Sequence, residues 1–187
     1  MSTDADRTHA TVDVPQGVTL TVEGRRLKAK GPLGTAERPF PADVVSLEVK
    51  DGVAKLTLLL PPGRRTSQAL LGTWAAHVRN LVAGLTLGVE AKLKVVAAHF
   101  PMKVSVRGTD LVIENFLGEK YPRTAHLVPG TAATVEGEFV ILTGTDIELV
   151  GQSGANIERA TRIRDYDPRV FQDGIYLTER SHFKGAS

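Results

Sequence analysis

Val22-Glu23-Gly24 with Leu27, followed by Leu33-Gly34, is stated twice in this chain, returning about 85 positions on as Val106-Arg107-Gly108 with Leu111, followed by Leu117-Gly118. Val49-Lys50-Asp51-Gly52-Val53-Ala54-Lys55-Leu56 returns after a short slip as Val135-Glu136-Gly137-Glu138-Phe139-Val140-Ile141-Leu142. A third block, Leu70-Leu71-Gly72-Thr73-Trp74-Ala75-Ala76-His77-Val78-Arg79, answers to Leu149-Val150-Gly151-Gln152-Ser153-Gly154-Ala155-Asn156-Ile157-Glu158. The order of blocks is kept and only the connectors change length, which is the mark of a duplicated domain. Function is then to be sought where the copies differ.

The local patterns give each copy its fold. Val18 to Val22 alternates apolar and polar, Glu23-Gly24-Arg25-Arg26 turns, and Leu27-Lys28-Ala29-Lys30 returns, so a hairpin is expected with one face buried. Val45 to Val49 and Val53 to Leu60 repeat the pattern around Asp51-Gly52, a strong two-residue turn signal, and Pro61-Pro62-Gly63 stops the strand. From Thr66 the period lengthens: Leu71, Trp74, Ala75, Val78, Val82 and Leu85 fall on one helical stripe. The second copy opens with a strand over 91–97, then Met102 to Arg107 with Leu111 to Glu114, then Thr134 to Glu136 with Phe139 to Thr143. Thr145-Asp146-Ile147-Glu148 has the form of a capping box, and Ile147, Val150, Gly154, Ile157 and Thr161 make the inward stripe of a second helix. The expected architecture is α+β: two tandem similar domains, each a small antiparallel sheet covered by one helix. The expected organisation is a flexible tail over 1–10, an N-terminal repeat over 11–86 and a C-terminal repeat over 87–187. Residues 165–187 have no counterpart in the first copy.

Composition sets limits on the chemistry. The 187 residues are 42% hydrophobic and 24% charged, and no apolar run approaches the ~20 residues of a membrane span. Met1 to His9 is polar and acidic without a basic lead into an apolar stretch, so no secretory signal is read and a cytoplasmic location is expected. There are no cysteines, which removes disulfides, thiolate zinc sites and thiol nucleophiles together. Against 21 acidic residues stand 23 Lys and Arg, a formal net charge of only +2, so a polyanionic partner would have to be held by local patches.

No catalytic constellation emerges. His9, His77, His99, His126 and His182 are scattered, without the spacing that would put two metal ligands on one face. Gly151-Gln152-Ser153-Gly154 approximates a nucleophile elbow, but its serine lies in a helical pattern with no histidine nearby. Neither an enzyme nor a cofactor is expected. The same four residues also satisfy the GXXG pattern of KH domains, in which a glycine loop between two helices approaches the backbone of single-stranded RNA. Against that, Gly72-Thr73-Trp74-Ala75 at the same place in the first copy reads as continuous helix. The other reading is that Gly72 and Gly151 let a helix lie close on its sheet. A KH-like binder of single-stranded RNA stays open as the alternative function.

The most unusual tract is Asn156 to Tyr176, where Arg159, Arg162, Arg164 and Arg169 interleave with Tyr166, Phe171 and Tyr176. Guanidinium groups pair with phosphate oxygens in a fork and stack on bases, and aromatic rings add stacking planes. Glu158, Asp165 and Asp167 balance much of this charge, so on composition nucleic-acid binding and a solvated helix end stand equally open. In the first copy Lys28, Lys30, Arg64 and Arg65 stand open between RNA contact and solubilising charge.

These residues resemble a known family. Leu71-Gly72-Thr73 with His77-Val78-Arg79-Asn80, Ala98-His99-Phe100-Pro101, Asn115-Phe116-Leu117-Gly118-Glu119, Ala160-Thr161-Arg162-Ile163-Arg164 and Asp167-Pro168-Arg169-Val170-Phe171-Gln172-Asp173-Gly174-Ile175-Tyr176-Leu177 are together similar to large-subunit ribosomal protein L six of the archaeal and eukaryotic type. The resemblance runs from about Val12 to near the end of the chain and implies two duplicated α+β halves. It implies a non-enzymatic rRNA-binding constituent of the large ribosomal subunit, near the sarcin-ricin region and the site where GTPase translation factors dock. Its implied partners are large-subunit rRNA and neighbouring ribosomal proteins, with translation factors nearby and no membrane. Carried over motif by motif, the implied RNA contacts are Gln152, Ser153 and Asn156 on the helix, then Arg159, Arg162, Arg164, Arg169, Phe171 and Gln172 after it. Asn115, Lys120 and Arg123 in a long loop complete them. By residue type, Arg and Lys would meet phosphates, Asn and Gln sugars or base edges, and Phe171 would pack or stack.

Overall fold

A computed structural model of the chain describes residues 8–60, 65–164, 166–167 and 169–185. Residues 1–7, Pro61-Pro62-Gly63, Arg64, the Arg65 side chain and Asp165 of the sequence reading lie outside the described residues. The chain divides into two compact units, 1–87 and 88–187.

The first unit runs β1 (His9–Asp13), β2 (Thr19–Glu23), β3 (Arg26–Gly31), β4 (Gly34–Pro39), β5 (Val45–Lys50), β6 (Val53–Leu58) and α1 (Arg65–Leu87). Its strands form two antiparallel sheets, β2-β3-β4 and β1-β6-β5. The second unit runs β7 (Val89–Val96), β8 (Lys103–Arg107), β9 (Asp110–Glu114), a 3-10 turn over Phe116–Gly118, β10 (Arg123–His126), β11 (Thr131–Glu136), β12 (Phe139–Gly144), α2 (Ile147–Ala160) and β13 (Gly174–Phe183). Its sheets are β8-β9-β10 and β11-β12-β7-β13. The class is α+β in both halves, with the strands of each half shared between two sheets rather than gathered in one. Strand for strand and helix for helix the second unit repeats the first, and the 3-10 turn and β13 are the additions.

Turn chemistry fixes the registers. Glu23 pairs with Arg26 and Arg107 with Asp110, leaving two-residue loops whose leading glycines, Gly24 and Gly108, have φ of 59° and 62°. That is the type II′ pattern, whose twist suits a hairpin. Between β5 and β6 both Asp51 and Gly52 take positive φ, 51° and 76°, as a type I′ turn requires. With register fixed, alternation does the rest: Leu27 and Ala29 of β3 are buried while Lys28 and Lys30 are exposed.

Each helix closes a core. From α1, Leu71, Ala75, Val78, Leu81, Val82 and Leu85 are buried with Leu27, Val45 and Leu56 of the strands. Trp74 is half-buried and sets its edge against Phe40, ring centroids 5.0 Å apart. From α2, Val150, Ser153, Gly154 and Ile157 are buried over Leu93, Val140 and Leu142. Complete burial of one such aliphatic side chain contributes about 1.5–3 kcal/mol, so each small unit depends on a handful of them.

Several expectations are corrected. The cap of α2 is Asp146, whose carboxylate accepts from the Glu148 amide at 2.8 Å, and Thr145 stands outside the helix. Both residues are good caps, and only backbone geometry chooses between neighbours. Gly72 does not let α1 lie close on its sheet, because a Cβ there would meet nothing within 4 Å. The close approaches are at Gly31, where a Cβ would stand 2.8 Å from Leu85 Cβ of α1, and at Gly144, where one would stand 2.8 Å from Val150 Cγ2 of α2 and 2.9 Å from the Gly130 carbonyl oxygen. Strand β1 begins at His9, within the stretch assigned to a tail, and Arg123 opens β10 rather than lying in a loop.

Candidate nucleic-acid interface

Three connectors of the second unit meet at one end of α2. Asp173, fully buried, fastens two of them: its Oδ1 accepts from the His99 amide at 2.9 Å and from the Phe100 amide at 3.4 Å, and its Oδ2 lies 2.8 Å from His99 Nδ1. Burial alone would raise the Asp173 pKa. The hydrogen bonds from the backbone and ring of His99 and from the Phe100 amide outweigh it, and the carboxyl is held below the usual range. The connector 115–122 joins through Asn115, whose Nδ2 donates to the Pro101 carbonyl at 3.0 Å, and through Gly118, which lies under the Phe100 ring.

Arg123 binds this assembly to the helix. Its Nη1 donates to the carbonyls of Ala160 and Arg162 at 2.9 and 3.0 Å, its Nε and Nη2 fork onto Glu119 at 2.8 and 2.6 Å, and it lies 4.2 Å above the Phe116 ring. A cation on the last carbonyls of α2 also meets the negative end of the helix dipole. The Arg123 fork holds the Glu119 carboxyl below its ordinary value. Thr161 and Glu158 fasten the opposite side, accepting the Ile175 amide at 3.0 Å and the Leu177 amide at 2.8 Å.

On this frame the sequence-derived contacts divide. Arg159, Arg162 and Arg164 are exposed, and none has a side-chain partner among the described residues. Arg159 and Arg162 border an open cleft of about 610 Å³ whose other walls include Phe171, Ile175 and Tyr176. Phe171 is half-buried, its ring 5.0 Å from that of His99 and 4.9 Å from that of Tyr166, so one edge packs and the rest faces the cleft. Lys120 and Gln172 are exposed, while Arg169 is exposed but bends back onto Asp167 at 3.3 Å.

Other assignments give way. Arg123 has its donors committed within the protein, and Ser153 is fully buried, donating to the Leu149 carbonyl at 2.9 Å and accepting from the Val128 amide at 3.0 Å. Both are structural. Gln152 and Asn156 pair with each other at 2.9 Å, and Asn156 also donates to the His126 carbonyl at 3.0 Å, away from the Arg and aromatic cleft. Gly151 to Gly154 lies wholly inside α2, so there is no KH loop and that alternative is withdrawn. In the first unit Lys28 is paired with Glu23 at 2.6 Å and Lys30 is exposed. The sequence reading missed Tyr121, 78% exposed beside Lys120, and the fastening roles of His99 and Asp173. An aromatic next to a cation in a glycine-bounded connector was the available signal for Tyr121. For the His99 and Asp173 pair, 74 residues apart, there was none.

The model of the ribosomal protein L6 family matches this chain twice, over residues 14–88 and 100–174. The chain is 46% identical over 175 residues to "Large ribosomal subunit protein uL6" of Ignicoccus hospitalis, covering 92% of this chain and 94% of that protein. It is 42% identical over 171 residues to the protein so named in Methanosarcina mazei, covering 91% and 96%, and 46% identical over 171 residues to that of Methanocella arvoryzae, with the same coverage.

Proposed function

The chain belongs to the ribosomal protein L6 family, and on that footing we propose that it is a non-enzymatic constituent of the large ribosomal subunit that holds rRNA with the end of its second unit. Arg159, Arg162 and Arg164 meet phosphates there, Phe171 and Tyr176 offer planes for bases or riboses, and Lys120 and Gln172 extend the contact. The seat is near the sarcin-ricin region, beside the docking site of GTPase translation factors, with neighbouring ribosomal proteins around it. This finer placement follows from the resemblance of the residue strings.

The observation that carries the reading is a contrast among the arginines at this end of the second unit. Arg123 spends its hydrogen bonds on the protein, while Arg159 and Arg162 leave theirs unspent at an aromatic-lined cleft and Arg164, two residues on, is exposed without a side-chain partner among the described residues. Unpaired guanidinium groups on an exposed edge are suited to phosphate, whose binding releases counterions and weakens with salt. Sedimentation through a density gradient tests the proposal: the chain should travel with the large subunit at low salt and leave it as salt rises. A chain that stays at the top of the gradient at low salt would refute it.

A further inference from the structure

The two units differ at one sheet edge. The ladders equate β1 with β7: Val12 faces Ala54 of β6 as Leu93 faces Val140 of β12, so that Asp13 answers to Lys94 and Thr11 to Lys92. β7 lies inside its sheet with β13 on its far side, whereas β1, among the described residues, pairs with β6 alone. The Thr8 carbonyl accepts from the Leu58 amide and the Val14 amide donates to the Gly52 carbonyl, so residues 8, 10, 12 and 14 turn their backbone groups toward β6. Alternation then turns the N–H and C=O of Thr11 and Asp13 outward. In the second unit Lys92, the counterpart of Thr11, turns its carbonyl to β13, where the Thr178 hydroxyl donates to it at 2.9 Å.

The helices carry the same difference. The repeat equates Gly72 with Gly151, Ala75 with Gly154 and Arg79 with Glu158. In α2 these positions hold β13: a Cβ at Gly151 would stand 3.4 Å from Ser181 Oγ, one at Gly154 3.6 Å from Leu177 Cδ1, and Glu158 accepts the Leu177 amide. In α1 a Cβ at Gly72 would meet nothing within 4 Å, and Arg79 is exposed with no partner among the described residues.

We infer that the β1 edge of the first unit receives an additional antiparallel strand from a protein neighbour in the large subunit, laid along β1 and against α1 as β13 is laid along β7 and against α2. The location of that neighbour rests on the large-subunit reading above. Main-chain pairing to Thr11 and Asp13 supplies the contact, as in strand addition generally. Charge sets the occupant's chemistry: an apolar residue opposite Val12, as Leu177 is opposite Leu93, a cation opposite Asp13, and a carboxylate for Arg79, which replaces the acceptor Glu158 by a donor.

Amide hydrogen exchange over residues 8–14 of the full chain, free and in purified large subunits, tests this, with cosedimentation scored on the same samples. The outward amides of Thr11 and Asp13 should exchange at least ~10-fold more slowly in the subunit and stay slow after ribonuclease trimming. Thr11→Pro removes an outward N–H and spares the β6 ladder, so it should abolish the protection of Asp13 while Ala10 and Val12 remain protected. Arg79→Glu, away from the ladder, should give the same loss even if the proline disturbs β1. Unchanged exchange in the subunit would overturn the inference, as would protection removed by ribonuclease, or protection already present in the free chain and released by deleting residues 1–7. A chain absent from the subunit would overturn this inference together with the proposed function, whereas a chain present with an open edge overturns this one alone.

Discussion

Arg123 and Arg164 show how far residue type falls short of residue role. Both read as phosphate ligands in the sequence, yet Arg123 gives two bonds to the carbonyls ending α2, forks onto Glu119 and covers Phe116. Arg123→Ala is expected to destabilise the free chain by about 2–3 kcal/mol, since bonds to charged groups contribute about 1.5–3 kcal/mol each and do not add fully. Arg164→Ala should stay within about 0.5 kcal/mol. Denaturant unfolding of both variants checks the pair, and equal effects would contradict the assignment. Asp173 gives a pH test. Its pKa is depressed in the folded chain, so it contributes stability at pH above its unfolded value of about 4, and that contribution is lost as pH falls through the lower folded value. Asp173→Asn should therefore be less stable at neutral pH and show a shallower acid limb in unfolding free energy against pH. An unaltered acid limb would mean that the carboxylate carries no such linkage.

At the scale of elements, the glycines separate close packing from simple tolerance. Gly144→Ala drives a Cβ into Val150 and the Gly130 carbonyl and should cost about 1–3 kcal/mol, as overpacking does. Gly72→Ala faces open space in mid-helix and should stabilise the free chain by up to ~1 kcal/mol through helix propensity. Thermal unfolding of the two variants reads both signs, and a destabilising Gly72→Ala would show that α1 is covered there. The same scale shows what was legible in the chain. Asp51-Gly52, the Val18 to Val22 alternation and the stripe from Leu71 to Leu85 each rest on local physics, and each matches its turn, strand or helix. Besides β1, which begins in the stretch expected as a tail, the strands left unread are those that local patterns disguise. β4 is polar and ends in Pro39, β10 is four residues long, and β13 carries Thr178-Glu179-Arg180-Ser181-His182 with two register shifts. Their places come from pairing with distant strands, which no window of sequence contains. The site divided for the same reason: Ser153 and Arg123 look like surface ligands until Val128, Glu119 and Ala160 are brought beside them by the fold.

For the whole molecule, a formal net charge of +2 is compatible with an RNA partner because a few uncommitted arginines gathered in one tract suffice to hold phosphates locally. On the first unit Arg25, Arg26 and Lys28 are neutralised by Asp43, Glu37 and Glu23. On the second, Arg159, Arg162 and Arg164 have no such counterions among the described residues. Duplication gives two like scaffolds, and the added β13, tied to the end of α2 through Thr161, turns one of them into a platform for guanidinium groups. Phosphate contact by that platform is the central claim, and salt dependence measures it most directly. Binding of the full chain to a large-subunit rRNA fragment should weaken steeply with salt, and the Arg159→Ala, Arg162→Ala, Arg164→Ala triple variant should lose roughly one unit of log–log salt slope per contact removed. A triple variant that keeps the parent's affinity and slope would contradict the account.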